Sequence, residues 1–349
     1  MRPVVLFIIL FPKRRTIHNQ TKKNLGGSFL VIQKQVFCLG HISVDIFINR
    51  LTLNNLKLGG CIDSKELAIY GGGDVANVSF WLGKQKVPVS LIGIIADDTA
   101  GNFVKKELEE ANVECRLKIS TEFPTATILI IVEPDGERSH ITNSKSQDDL
   151  EWKDLPLDDI LRSSLFYTSG YTIENYPIKG VVYRLFQYIK GNMNSTILTM
   201  FNLAAYTTIE KFKPEVMTHI LPHTDILVGN RDEFETLVNN QKNKGKQDIQ
   251  EMGSSIRKNF PNIQVILITD GENGCYYFTQ KRNGHIPADQ VLTIDTTGAG
   301  DGFCAGFISG YLSGADLEEA IRHGTNLGSH ICQGYGARFD ASDFSIETR

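Results

Sequence analysis

The residues with the clearest chemical potential lie near the C-terminus, in Asp295-Thr296-Thr297-Gly298-Ala299-Gly300-Asp301. After Asp301 the apolar residues Phe303, Phe307, Ile308, Tyr311 and Leu312 recur at helical spacing, so a helix is expected to begin at the small residues. Before them Leu292-Thr293-Ile294 is short, apolar and β-branched, and reads as a strand. A strand, a tight turn and a helix start would leave the N–H groups of Gly298, Ala299, Gly300 and Asp301 as unpaired donors. Such a terminus attracts anions, through its amides and the helix dipole together. Asp301 sets a carboxylate beside a place suited to negative charge. A cleft that holds a phosphoryl group and takes a proton from a neighbouring hydroxyl gives that pairing a purpose. The plain alternative is a turn whose aspartate caps the helix, since Asp is a common N-cap.

Two other phosphate-binding patterns are excluded. The fingerprint G-x-G-x-x-G fails because Phe303 stands where the third glycine belongs. The loop G-x-x-x-x-G-K-[ST] is absent, for Gly83-Lys84 is followed by Gln85.

The elements that must position Asp301 follow from the hydrophobic pattern. Apolar strand-like runs begin at Val36, Val89, Leu165, Ile197, Asp225 and Val265, most of them separated by helical stretches. That alternation argues for a parallel sheet with helices on both faces. The chain has 349 residues, 41% hydrophobic and 22% charged, enough for a large α/β domain with an appendage. A net charge of −4 gives no basic field for nucleic acid. Six scattered cysteines without C-x-x-C spacing fit reduced thiols in a cytoplasmic enzyme better than disulfides or a zinc site. No apolar run reaches membrane-spanning length. Residues 1–35 have a short apolar run and then Lys13-Arg14-Arg15, without the features of a signal peptide. They are expected to be a poorly ordered extension without chemistry, with the working domain at 36–349.

Other polar residues fall at the ends of these runs. Asp45 follows the first strand, where substrate meets the open end of a parallel sheet. Gly71-Gly72-Gly73-Asp74-Val75-Ala76-Asn77 precedes the helical spacing of Val78, Trp81 and Leu82. It is either a close backbone approach to a ligand or a flexible turn. Residues 125–132 and 138–142 flank the turn signal Pro134-Asp135-Gly136, a hairpin pattern. With short pieces between 46 and 70 it would form a small separate sheet. Asn230 and Glu233 have the spacing of a capping box. Residues 265–269 form a buried strand ending in Thr269, which Asp270-Gly271-Glu272-Asn273-Gly274 turns back into another.

In this order the motifs have a family likeness. Residues 295–301 resemble the C-terminal signature of the ribokinase-like (PfkB) carbohydrate kinases, and Gly72-Gly73 with Asn77 resembles their N-terminal Gly-Gly-x-x-x-Asn motif. The likeness runs from about Val36 to the C-terminus. It implies a ribokinase-like α/β fold: a mainly parallel sheet flanked by helices, plus a small β-sheet lid near 46–70 and 113–145. It implies ATP-dependent phosphoryl transfer to a hydroxyl of a small sugar, with Asp301 as general base and the 298–301 backbone as anion hole. It implies that Asp45, Gly72, Gly73, Asp74 and Asn77 hold the sugar. Asn230, Glu233, Thr269, Gly271, Gly274, Thr325 and Asn326 are then on the nucleotide side. Glu233 would order water around Mg²⁺, and Asp295 would be the side-chain ligand of a monovalent cation such as K⁺. The lid would cover the sugar and pair with a second subunit's lid, giving a homodimer.

Two other readings stay open. A nucleoside kinase of the same fold is one, because the stretch from Phe201-Asn202-Leu203-Ala204 to Asn230 resembles adenosine kinases, whereas Ala76-Asn77 resembles sugar kinases. A non-catalytic sugar- or nucleotide-binding regulator is the other; loss of the base would be its mark, and Asp301 is present. Gly302 departs from the bulkier or Ala-like residue that relatives carry, at a helix cost of about 1 kcal/mol relative to Ala.

Overall fold

The computed structural model describes residues 35–49, 51, 59–60, 64, 66–133, 138–143, 149–174, 176–192, 195–239 and 248–338. The expected extension before residue 35, the turn at Pro134-Asp135-Gly136 and much of the segment between 50 and 65 lie outside the described residues.

In chain order the strands are β1 (Val36–Leu39), β2 (Ser43–Asn49), β3 (Glu66–Gly72), β4 (Val89–Ala96), β5 (Val113–Ser120), β6 (Ala126–Val132), β7 (Arg138–Asn143), β8 (Leu165–Ser169), β9 (Leu198–Asn202), β10 (Ile226–Asn230), β11 (Val265–Thr269), β12 (Cys275–Thr279) and β13 (Asn283–Ile286). The helices are α1 (Asp74–Lys84), α2 (Thr99–Glu110), α3 (Leu157–Arg162), α4 (Ile178–Gly191), α5 (Tyr206–Glu215), α6 (Arg231–Val238), α7 (Ile249–Asn259), α8 (Ala299–Ser313) and α9 (Leu317–Ile331).

Nine strands form the large sheet in the order β13-β12-β11-β10-β9-β8-β1-β4-β5. It is parallel from β5 to β11, and β12 and β13 add antiparallel strands at one edge. Its central strands are apolar on both faces because helices cover both. Along β1, Val36 and Cys38 pack into one core with Val78 and Trp81 of α1, Phe303 and Phe307 of α8 and Leu327 of α9. Phe37 and Leu39 point the other way, toward Val182 and Phe186 of α4, Phe234 of α6 and Met252 of α7. That is the two-residue period of a strand, read out on two faces.

β1 is flanked in parallel by β4 on one side and by β8 on the other, and the strand order runs outward from it in both directions. This reversal is where an open α/β sheet leaves a crevice beyond the carboxyl ends of its strands. The order also carries the chain from Leu39 through residues 40–42 into β2, the first strand of a second sheet.

The second sheet has the order β3-β2-β6-β7, with β2 and β6 parallel and the outer pairs antiparallel. Its register sets Ile69, Ile46, Leu129 and Ile141 side by side in one row. Leu67, Ile69 and Ile141 on that face are 60%, 51% and 62% exposed.

Two expectations need correction. Residues 113–120 are not part of the small sheet: β5 pairs in parallel with β4 along its whole length. The β4-α2-β5 crossover returns the chain to the large sheet before it enters the small one at Ala126. The run before the C-terminal motif is no strand either. Leu292 is 84% and Ile294 48% exposed, and the amides of Ile294 and Asp295 donate to the Cys332 carbonyl beyond α9 at 2.8 and 3.3 Å. A short β-branched run without a partner strand takes the bonds it finds, here the end of a helix.

Candidate active site

The start of α8 is built by glycine. Gly298 is the cap, with φ of 79°, the left-handed region that side chains disfavour. A Cβ there would lie 2.4 Å from Ala337 Cβ, so the C-terminal loop also excludes one. The first helical bond runs from the Gly302 amide to the Gly298 carbonyl at 2.8 Å. Ala299 departs from the expected set of open donors, since its N–H donates to the Thr296 carbonyl at 3.2 Å. Among the described residues no protein acceptor takes the amides of Gly300 and Asp301. Gly300 is exposed, with open space where its Cβ would be.

Asp301 is the third residue of α8 and not its cap. The capping alternative therefore fails on position. Its Oδ2 accepts from Asn77 Nδ2 at 2.8 Å. Burial raises its proton affinity well above the ordinary carboxylate range, and the Asp74 carboxylate adds to this; Asn77 and Arg338 oppose it. Asp74 opens α1, and neither of its buried oxygens has a well-formed hydrogen bond. Burial pushes it up to about 6, against the nearby Ser169 hydroxyl and Val75 amide. The two carboxylates resist carrying two negative charges together.

Asp45, on β2, is 8% exposed and accepts from Ser43 Oγ at 2.8 Å. Burial raises its proton affinity too. Gly72 lies against it: a Cβ there would fall 2.2 Å from Asp45 Oδ1. A Cβ on Gly73 would fall 2.3 Å from the His41 carbonyl. These close approaches bring the β1–β2 connection onto the start of α1. These contacts bring Asp45, Gly72, Gly73, Asp74, Asn77 and Asp301 to one place.

One residue of this cluster escaped the sequence reading. Arg338 has no exposed side-chain surface. Its Nε donates to Asn77 Oδ1, its Nη1 to Glu107 Oε2 and its Nη2 to the Gly72 carbonyl, each at 2.8 Å. Its guanidinium also lies 5.6 Å from the Phe80 ring centroid. Trp81 Nε1 holds the same loop by donating to the Ala337 carbonyl at 2.8 Å. A basic residue just after Gly336-Ala337, at the end of the loop that follows α9, was the available signal.

The residues expected on the nucleotide side stand on other elements. Asn230 and Glu233 form the full capping box of α6. Glu233 Oε2 accepts from the Asn230 amide at 2.8 Å, Oε1 from Asn230 Nδ2 at 2.7 Å, and Asn230 Oδ1 from the Glu233 amide at 2.9 Å. Burial pushes Glu233 up to about 7. Thr269 pairs with Asn230 at the adjacent strand end, and its Oγ1 donates to the Gly229 carbonyl at 3.3 Å. Gly271 and Gly274 both have positive φ, 55° and 93°. A Cβ on Gly274 would lie 2.1 Å from the Ile286 carbonyl. Thr325 is turned into α9, where its Oγ1 donates to the Arg322 carbonyl at 3.0 Å. Asn326 is exposed; oriented to satisfy its neighbours, its amide donates to the Arg322 carbonyl at 3.0 Å and to Asp289 Oδ2 at 3.1 Å. No hydrogen bond among the described residues joins this group to Asp301.

Asp295 ties the loop before α8 to the C-terminal loop. Its Oδ1 accepts from the Thr297 amide and Oγ1 at 2.9 and 2.8 Å, and its Oδ2 from the Gly336 amide at 2.9 Å. Among the described residues no three or more His, Cys, Asp or Glu side chains group to hold a metal ion, and no helix is long and apolar enough to cross a membrane.

The chain is 23% identical to an adenosine kinase of Dictyostelium discoideum over 346 residues, covering 90% of this chain and 98% of that protein. It is 24% identical to an uncharacterized sugar kinase of Archaeoglobus fulgidus over 260 residues, 74% of this chain and 96% of that one. The crystal structure of adenosine kinase from Sinorhizobium meliloti superposes with a TM-score of 0.77 at 22% identity, covering 88% of this chain and 96% of the other. The family of pfkB carbohydrate kinases matches residues 33–343. A match of that extent, with the two-sheet fold, makes this chain a member of the pfkB carbohydrate kinase family, whose work is ATP-dependent phosphoryl transfer to a small sugar or nucleoside.

Proposed function

We propose that this chain moves the γ-phosphoryl group of ATP to a hydroxyl of a small sugar, with Asp301 as general base. The observation that carries this reading is the Asp301 carboxylate beside the unbonded amides of Gly300 and Asp301 at the start of α8. As the hydroxyl oxygen bonds to the γ-phosphorus, its proton passes to Asp301. The bond from phosphorus to the bridging oxygen breaks, and ADP leaves. A base with a raised proton affinity suits this work, because it holds the proton once taken. The amides of Gly300 and Asp301, with that of Gly298, stabilise charge on the transferring group. The Ala299 amide joins them only by giving up Thr296.

Asp45, Gly72, Gly73, Asp74 and Asn77 are proposed to hold the sugar. Asp74 is the best supported, since two buried oxygens without a well-formed hydrogen bond suit a pair of donor hydroxyls. Asn230, Thr269, Gly271, Gly274, Thr325 and Asn326 are proposed to line the nucleotide, Thr325 by its position and not by its inward-turned hydroxyl. Mg²⁺ on the phosphates would supply charge neutralisation. Such an ion usually keeps several of its own waters. Glu233 would face that water: a carboxylate accepts about four hydrogen bonds, and Asn230 takes two of them. A monovalent cation such as K⁺ would use Asp295 as its side-chain ligand, sharing oxygens that already hold Thr297 and Gly336. The small sheet is proposed as a lid that pairs with the lid of a second copy. A cytoplasmic setting suits the five described cysteines, none in a disulfide.

A nucleoside acceptor is the second reading, favoured by the likeness to adenosine kinases. ADP formation over a panel of pentoses, hexoses, sugar acids and nucleosides separates the two. ADP release with a sugar is the expected result; turnover with nucleosides alone supports the second reading. Saturable ligand binding with no ADP from any acceptor supports a non-catalytic regulator and overturns both.

A further inference from the structure

We infer that Arg338 is a positioning residue for phosphoryl transfer: by pinning the oxygen of the Asn77 amide, it turns the N–H group of that amide onto Asp301. The inference rests on the reading of Asp301 as base. A guanidinium carries five N–H donors and no acceptor. The Arg338 Nε–H, 2.8 Å from Asn77, therefore requires an oxygen opposite it. An amide that presents its oxygen on one side presents its NH₂ on the other. That NH₂ meets Asp301 Oδ2 at 2.8 Å. Among the described residues Asn77 is the sole hydrogen-bond donor to the Asp301 carboxylate.

The arrangement is held from three sides. Glu107 of α2 balances the Arg338 charge, the Gly72 carbonyl anchors its third N–H, and Phe80 covers its plane. Space for the ion pair comes from Gly71. A Cβ there would lie 1.8 Å from Glu107 Oε2 and 2.2 Å from Arg338 Nη1. So the three consecutive glycines divide their work: Gly71 makes room for the ion pair, Gly72 for Asp45, and Gly73 for the His41 carbonyl. Without Arg338 the Asn77 amide is free to turn over, setting oxygen against carboxylate and leaving the base without its donor. The charges around Asp301 then also change. Asp74 and Asp45 raise its proton affinity, and Arg338 lowers it; Cys304 of its own helix and Tyr167 of β8 lie near enough to feel its charge.

The test is a double-mutant cycle on the full chain, with Arg338→Met, Asp301→Asn and both together. Arg338→Met is expected to lower kcat by about 10²-fold, the scale of a misplaced catalytic group, with the acceptor KM changed less than about threefold. The acid limb of kcat against pH should move to higher pH. In the Asp301→Asn background the same change should cost little, because residues acting as a unit are not additive. Full multiplication of the two losses overturns the inference, as does unchanged kcat in folded Arg338→Met when Asp301→Asn is inactive. Near-normal turnover of Asp301→Asn instead removes the base, and this inference with it. If Arg338→Met does not fold, Asn77→Asp decides: it still gives Arg338 an acceptor but loses the donor to Asp301. A comparable fall in kcat at an unchanged melting temperature supports the inference, and wild-type kcat overturns it.

Discussion

Asn77 and Asp301 lie 224 residues apart in sequence, and the amide of the first donates to the carboxylate of the second at 2.8 Å. The bond joins the start of α1 to the start of α8. It ties the Gly-Gly motif to the Gly-Ala-Gly-Asp motif, so the backbone expected to approach the sugar and the group expected to deprotonate it share one anchor.

Asp301→Asn tests the base directly. Asp301 sits at the third position of α8, behind a glycine cap, so helix stability should barely change. Asn also keeps an oxygen for the Asn77 amide. General-base catalysis contributes about 10²–10⁴-fold, and kcat should fall by that factor. ATP affinity should hold or improve, because a negative charge beside the phosphates is gone. Turnover, nucleotide affinity and melting temperature on the one variant decide it; near-normal turnover would withdraw the mechanism.

Gly298→Ala tests the anion site. The left-handed conformation costs a side-chain-bearing residue about 1–2 kcal/mol, and the new methyl meets Ala337 at 2.4 Å. The loop from Thr296 to Asp301 should shift, lowering the melting temperature by several degrees and kcat/KM by at least about tenfold. A variant with wild-type stability and turnover would show that the α8 start tolerates displacement.

Much of this was legible in the residues. Runs such as those of β1, β4 and β11 announced a parallel sheet because strands buried on both faces must be apolar throughout. Asn230 and Glu233 announced their capping box by spacing alone. The failures share a cause. Leu292-Thr293-Ile294 has strand composition, yet the amides of Ile294 and Asp295 go to the Cys332 carbonyl, and composition carries no knowledge of partners. Residues 113–120 could not be divided between sheets for the same reason. Arg338 was missed because its role depends on Asn77, Glu107 and Gly72, which are distant in the chain and converge only in the fold.

The carboxylate pair predicts a pH dependence with a definite sign. Asp74 is raised from the ordinary range to about 6, so the folded state binds more protons than the unfolded one between those values. Stability therefore declines as pH rises from about 4 to about 6, and the full cost is present above that window. Asp74→Asn should remove it. The variant should melt higher than the parent at pH 7.5, and the difference should shrink toward pH 4. The acid limb of kcat/KM should also move to lower pH, since Asp301 loses a like-charged neighbour. Melting curves and rate profiles across this range check both. A stability difference that grows toward low pH would reverse the assignment.

The small sheet supplies the last test. Ile69, Ile46, Leu129 and Ile141 form one row across it, and Ile69 and Ile141 at the ends of that row are 51% and 62% exposed. An isolated small sheet is marginal in water when its apolar face has no cover, and exposed apolar patches mark places of association. If a second copy covers this face, the protein should sediment as a dimer at micromolar concentration. Ile141→Glu places a charge in the row and should shift it to monomer, while the melting temperature of the large sheet stays close to the parent's. Turnover should fall in step with dissociation if the partner's lid helps cover the sugar, and should be unaffected if each lid closes its own site. Sedimentation and activity measured on the same dilution series separate these cases. A parent protein that is monomeric at every working concentration removes the dimer, and the exposed row must then serve the lid of a single chain.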